Sequence, residues 1–555
     1  MQECDRTIAG AENLIVRGNL DTNTLLLNTK NITIAENTPD NSQATIYKST
    51  LEGLSENTNL ILQATNDITI NAFSNNLILA NRSDKVIFNA DVDGDGIGNF
   101  QMQTADTIKT NGGDISISGA SLILGNIDTS FILGGGDINL TATEGNISTG
   151  NLESYSISYD GRLGESFWNI ILDAQGNIST GILKSYSHSH SYSSDGTAGT
   201  GGEITLTALG NISTHSLNSF SFSFDNGTAG TGGDITLTAQ GNISTQAFNS
   251  SSSSFDDGTA GNGGDITLTA RGNISTPSLY SLSSSVDGTA GTGGDITLTA
   301  QGNISTQSLS SLSSSFDDGT AGNGGDITLT ARGNISTQSL DSFSSYSVDG
   351  TAGTGGDITL TAQGDIKGIR YGYNNEYEFP VFSSFSLSQN GVSGQGGNVT
   401  LTAKNQITDL EILTLSSDFK SGDVQIKGFG DLSLTNTDII TSKQVTIRNR
   451  YINAKDIIQD VSGVGQSGNV TVTSTGNLTF NNSRIESDTR SSDPAGNITI
   501  TSPGTVTFNN NNISKITSNT SSQGKAGNIQ INANNLVLTD ASESQSILAA
   551  QKKYL

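Results

Sequence analysis

The chain has 555 residues, which at ~150 per domain suggests three or four ordinary globular domains, but its composition argues against that count. Glycine (66 residues) is about 12% against a usual ~7%, proline numbers only 5, and hydrophobic and charged residues reach just 33% and 14%, which excludes collagen, a proline-rich linker and an average globular core. A net charge of −27 leaves no basic surface for nucleic acid or anionic lipid, the single Cys4 excludes a disulfide scaffold, and no apolar run approaches a membrane helix.

In chain order, residues 1–130 read as irregular β coils. The start, MQECDRTIAG, has no basic segment followed by an apolar one, so no secretory signal is expected in this chain. Within this region Asp91-Val92-Asp93-Gly94-Asp95-Gly96 places carboxylates at positions 1, 3 and 5 and glycine at 6, the first half of a calcium loop of EF-hand type. Asp91, Asp93 and Asp95 are therefore the candidate metal ligands, with calcium as the candidate cofactor. Position 12 is Met102 rather than a bidentate Glu, and a tight polar turn between coils is the competing reading.

Residues 131–366 carry a regular array. GGDITLTAQGNISTQ recurs with its acidic residue at Glu203, Asp234, Asp265, Asp295, Asp326 and Asp357, spaced 31, 31, 30, 31 and 31 apart, with weaker copies at Asp137 and Asn169. Within DITLTA, Ile235, Leu237 and Ala239 alternate with Thr236 and Thr238, the period of a half-buried strand, and Ile243 continues the apolar set. Leu309, Leu312 and Phe316 are the apolar positions of the Ser-rich segment.

Such a unit cannot bury its apolar face alone, so neighbours must stack. The predicted fold is all-β, a parallel β-solenoid (right-handed β-helix) of roughly 31-residue coils, about 18 of them and some 85 Å long at ~4.8 Å per coil. A propeller blade would need ~40–45 residues. Residues 367–395 interrupt the array with Tyr371, Tyr373, Tyr377, Phe379 and a proline, and read as an aromatic loop insertion. Residues 396–540 resume the coils at Asn398, Asn469, Asn497 and Asn528, and residues 541–555 form a tail that breaks the pattern.

STLEGLSENTNLILQATNDITI, DVDGDGIGNF with TADTIKTNGGDISISGASLILGNIDTS, and the GGDITLTAQGNIST array together resemble filamentous haemagglutinin-type exoproteins, in particular the β-strand-repeat surface proteins of this kind in cyanobacteria. The resemblance implies a secreted or surface-attached, non-catalytic protein of adhesion or surface architecture. It would be extracellular or held at the outer membrane, exported through an outer-membrane two-partner secretion transporter, and bind a cell-surface or carbohydrate ligand. The family's secretion domain carries Asn-Pro motifs, and here none of Pro39, Pro277, Pro380, Pro494 and Pro503 follows an Asn, so the chain reads as a fragment. The alternatives are a carbohydrate-active β-helix enzyme, which needs a clustered, unrepeated acid/base set, and a calcium-stabilised rod.

Other features stay open between function and architecture. The stacked acids, and the loop acids Asp225, Asp256, Asp257, Asp287, Asp317, Asp318 and Asp349, repel by roughly 1 kcal/mol per neighbour at ~5 Å in water, relieved by cations or by splayed, solvated loops. The Thr-x-Thr pairs, such as Thr236 and Thr238, form a lattice like that of ice-binding solenoids, or are simply the outward strand residues that threonine favours. Asn-Ile-Ser sequons such as Asn242-Ile243-Ser244 read better as an asparagine ladder at a turn than as glycan acceptors. His188 and His190 could share one strand face, without a third ligand for a metal; the expected reading is an exposed edge on which Ser219 and Ser221 take their place one coil on.

Overall fold

The period-2 alternation of ITLTA builds the strands as the pattern requires. In Ile235–Ala239 the isoleucine, leucine and alanine are buried and the threonines face outward. A computed structural model describes residues 6–539 apart from residues 10–13, 19, 21, 38–42, 80–84, 133, 160–167, 191–195, 225, 316–317, 348–349, 374–375, 379, 389–390, 442–443, 450–456, 463–464, 490, 510–513 and 521–522. Cys4, Phe316, Phe379, Asp225, Asp317, Asp349 and the tail at 541–555 therefore lie outside the described residues.

The chain divides into two units, one of residues 1–252 and 264–275, the other of residues 253–263 and 276–555. Each is a parallel β-solenoid. In the first, one ladder runs through ten rungs from Arg6–Ala9 to Ile266–Ala270. In the second, the corresponding ladder has eight rungs from Ile296–Ala300 to Ile529–Thr539. Register in the array is residue for residue: Ile204 pairs with Ile235 and Ile235 with Ile266, and in the second unit Ile296, Ile327, Ile358 and Val399 follow one another. Helix is confined, among the described residues, to the five residues Lys48–Glu52.

Each array coil adds two further strands, and both feed the same thin core. The GNIST segment stacks Ile147, Ile178, Ile212, Ile243 and Ile274, and the third strand stacks Leu152, Leu183, Leu217 and Phe248, all at most 1% exposed. Even the return loop keeps register, since Thr259, Thr289, Thr320, Thr351 and Val392 bridge in parallel and each following alanine from Ala260 to Ala352 is buried.

The Ser-rich strand is where burial departs from hydrophobicity. Leu309 is buried, but the inward positions that follow it at period two are Ser311, Ser313 and Ser315, while Leu312 faces outward and is half-buried. The glycine turn offers carbonyls to Ser311 and Ser315, while the Ser313 hydroxyl is buried without a hydrogen-bond partner. Ser219 donates to the Gly202 carbonyl, Ser250 to that of Gly233, Ser311 to that of Gly294 and Ser342 to that of Gly325, each at 2.6 Å. The glycines are needed for closeness: a Cβ on Gly233 would run into the Gly202 carbonyl of the neighbouring coil.

In the second unit, Tyr371–Tyr373 and Glu376–Glu378 pair antiparallel as a hairpin, after which Val381–Ser388 rejoins the parallel stack. We expect Ser219→Ala to cost about 1–3 kcal/mol, because the Gly202 carbonyl loses a buried donor, whereas Thr238→Ala on the outer face should stay within ~0.5 kcal/mol. Denaturant unfolding of the two variants beside the parent checks this, and equal effects would contradict the buried hydroxyl ladder.

Candidate functional site

The Asp91 loop hangs from the end of strand Val86–Asn89 and is pinned at its base. The Asp91 N–H reaches the Asn66 carbonyl at 3.2 Å and the Val92 N–H the Ala64 carbonyl at 2.9 Å. The tight path uses left-handed backbone at Asp91 (φ 61°), Gly94 (70°) and Gly96 (81°), which the two glycines adopt without strain. Both Asp91 oxygens accept the Gly96 N–H, at 3.0 and 3.2 Å, and Asp95 accepts from the Ile97 N–H at 3.0 Å. Thr143 Oγ1, from another coil, lies 3.4 Å from Asp91 Oδ2.

The structure brings the three predicted ligands together. Asp91, Asp93 and Asp95 each offer an oxygen within 4.8 Å of the others, Asp91 buried and the other two exposed. That separation suits a common cation at the ~2.3–2.6 Å typical of calcium–oxygen bonds. Met102 points into the core at 5% exposure, so the position-12 ligand of a full EF-hand has no counterpart. Glu144, an exposed carboxylate that sequence spacing could not reveal, lies beside Gly96.

The stacked acids have a structural task. At the first position of these array coils, the side-chain oxygen accepts the backbone N–H of its counterpart one coil on: Asp234 from Asp265 at 2.8 Å, Asp295 from Asp326 at 2.8 Å, Asp326 from Asp357 at 2.7 Å. Asparagine serves equally, as where Asn398 accepts from Asp423 at 2.9 Å and Asn469 from Asn497 at 2.9 Å. The position therefore requires an acceptor and not a charge. A second ladder runs through the GNIST turn, where Asn146, Asn177, Asn211 and Asn242 each accept the next coil's asparagine N–H at 2.7–2.8 Å. This is the asparagine ladder that the sequons suggested.

The histidines sit differently from the sequence reading. His188 pairs with Phe222, not with a serine, and is half-buried against Phe222 and Phe224 at centroid distances of 5.1 and 5.3 Å. The register is shifted because Ser187 aligns with Ser221 and Ser189 with Ser223, so the serines continue the inward set and the outward position receives an aromatic ring.

Sequence reasoning missed an outer-face column in the second unit. Glu411, Asp438, Arg484 and Lys515 occupy one register position on successive coils. Arg484 reaches Asp438 at 3.2 Å and Glu486 at 3.7 Å, and Lys515 reaches Glu486 at 3.4 Å. Burial raises the Glu411 carboxyl above its ordinary range, aided by Asp438, and burial raises Asp438 against the pull of Arg484. Burial likewise raises Asp137 and Asp326, and it pushes Asp341 up to about 6 despite hydrogen bonds from Ser383 and Ser339. In the Glu411 column, Arg484 and Lys515 offset the acids beside them.

No family model, curated protein or solved structure matches the chain. Its class rests on the fold: a β-solenoid repeat protein with side-chain acceptor ladders at the acidic turn and at the GNIST turn. Among the described residues no helix is long and apolar enough to cross a membrane.

The raised carboxyls set the direction of the pH response. Folded-state values above the unfolded ones mean that the folded chain binds more protons, so stability falls as pH rises from the ordinary carboxylate range (3.8 for Asp) through about 6, where Asp341 titrates. Thermal unfolding should give a higher Tm at pH 5 than at pH 8, and Asp341→Asn should reduce the difference; a Tm that rises with pH over this window would contradict it.

Proposed function

We propose that the chain is a secreted or surface-attached repeat protein of filamentous haemagglutinin type, mediating adhesion or surface architecture without catalysis. The observation that carries this reading is the repetition of the outer faces. Thr236 and Thr238 align with Thr267 and Thr269 in one unit, and Thr328 and Thr330 with Thr359 and Thr361 in the other, so any group that meets one coil meets its copies at strand spacing. Repeated weak contacts of this kind multiply into avidity. The outer-membrane two-partner transporter, the extracellular location and the cell-surface or carbohydrate ligand belong to the same proposal. Coils that close by local stacking suit export as an unfolded chain, since a repeat array propagates from one formed end.

Antibody against the purified array should label intact source cells or detect the protein in the medium. Signal only after lysis would remove the adhesin reading for this chain.

A second reading, calcium stabilisation of the first unit, is favoured by the three converging carboxylates of Asp91, Asp93 and Asp95. Calcium at a hundredfold its Kd should then stabilise the fold by about 2.7 kcal/mol. A chelator should reverse the gain in Tm, and the exposed pair of substitutions Asp93→Asn and Asp95→Asn should abolish it. An unchanged Tm with saturating calcium would refute the site.

A further inference from the structure

The ladder of the second unit ends on an open rung. Ile529–Thr539 pairs in parallel with Ile498–Asn509 on one side, and among the described residues no strand pairs with its other side. Its inward positions are the apolar ones that the coil beneath it buries, and here they lie uncovered. Ile498 and Ile500 are fully buried, whereas Ile529 and Ile531, in register with them, are only half-buried. Val506 and Phe508 are 0% and 8% exposed, whereas their counterparts Leu536 and Leu538 are 38% and 55% exposed. The turn follows suit, with Ala495 buried and Ala526 exposed.

Each uncovered leucine forfeits the burial that stabilises its counterpart one coil back. The unpaired N–H and C=O groups along the free edge are also a template on which another chain can pair. A stack of repeats therefore needs a terminal element with one apolar and one polar face. The sequence after Thr539 has that character. From Gln545 to Leu555 it reads QSILAAQKKYL, without the alternation of a further strand. At helical spacing Ile547, Leu548, Ala550, Tyr554 and Leu555 fall on one arc, and Ala549, Lys552 and Lys553 fall on the other. Ser544 stands where a hydroxyl caps the first turn, and Lys552 and Lys553 suit the negative pole at the far end.

We propose that residues 545–555 form a short amphipathic helix that lies across the last rung and closes the core of the second unit. Length and tether select this occupant. The helix would span about 16 Å at ~1.5 Å per residue. The segment Asn535–Thr539, which carries the two most exposed inward leucines, spans about the same at ~3.3 Å per residue. Residues 540–543 reach up to about 14 Å at ~3.6 Å each, enough to turn the chain back over the strand it has just left. A helix satisfies its own backbone, so it covers apolar side chains and shields the edge without extending the sheet. A tethered segment also acts at a high effective concentration. A second copy has no such advantage, and the −27 charge of each chain opposes its approach.

Hydrogen exchange of the full-length chain, followed by mass spectrometry from residue 498 onward, tests this. In the parent the amides of residues 549–554 should be protected, equally at low and at high protein concentration. Ile547→Asp combined with Leu548→Asp should remove that protection and speed exchange over Leu536–Leu538 about tenfold or more. It should also raise the fluorescence of a dye that binds exposed apolar surface, whereas Lys552→Gln on the polar arc should change none of the three. Unchanged exchange over Ile498–Ser502 shows that the coils beneath remain folded in each variant. Tail amides that exchange in the parent at the rate of an unstructured chain, or a last rung indifferent to the double substitution, would overturn the proposal. Protection that appears only as concentration rises would give the rung to a second copy and overturn it equally.

Discussion

Parallel, in-register stacking at one strand spacing is the constraint on which the rest of this structure depends. Each coil hydrogen-bonds to its neighbours through three short strands and a return loop, so a side chain at one position meets its own counterpart above and below. Whatever residue occupies a position must tolerate itself at ~4.8 Å. Isoleucine and leucine do so inside by packing, and aromatic rings do so outside by stacking. Asparagine does so at the turns by accepting a backbone N–H with its side-chain oxygen.

The acidic corner shows how this constraint overrides simple electrostatics. A row of aspartates at strand spacing is unfavourable as a row of charges, yet Asp234, Asp295 and Asp326 each accept a backbone N–H of the next coil, and Asn398, Asn469 and Asn497 do the same without a charge. The charge is a by-product of the need for an acceptor. Burial raises the carboxyls of Asp326 and Asp137 above their ordinary values. The column of Glu411, Asp438, Arg484 and Lys515 meets the same demand by mixing signs.

The array was legible from sequence because a 31-residue period and a period of two both survive in the residues themselves. Ile235, Leu237 and Ala239 announce an inward face, and their recurrence announces stacking. The Asp91 loop was legible too, because its spacing of carboxylates and glycines is local. The serine-lined part of the core was not, since Ser311 and Ser315 look like surface residues until the glycine carbonyls that receive their hydroxyls are in place. Nor was the environment of His188, whose neighbour is set by the register of a strand 34 residues further along the chain.

What the sequence by itself determined is the class and the repeat: an all-β chain whose coils bury a thin core many times over. What only the tertiary structure decided is which polar groups are satisfied by the neighbouring coil. It also decided that Glu144 stands beside the Asp91 loop. The physical reason is that alternation within a strand is written in adjacent residues, whereas pairing between coils depends on turn lengths that shift register. One residue of slip exchanges every inward side chain for an outward one.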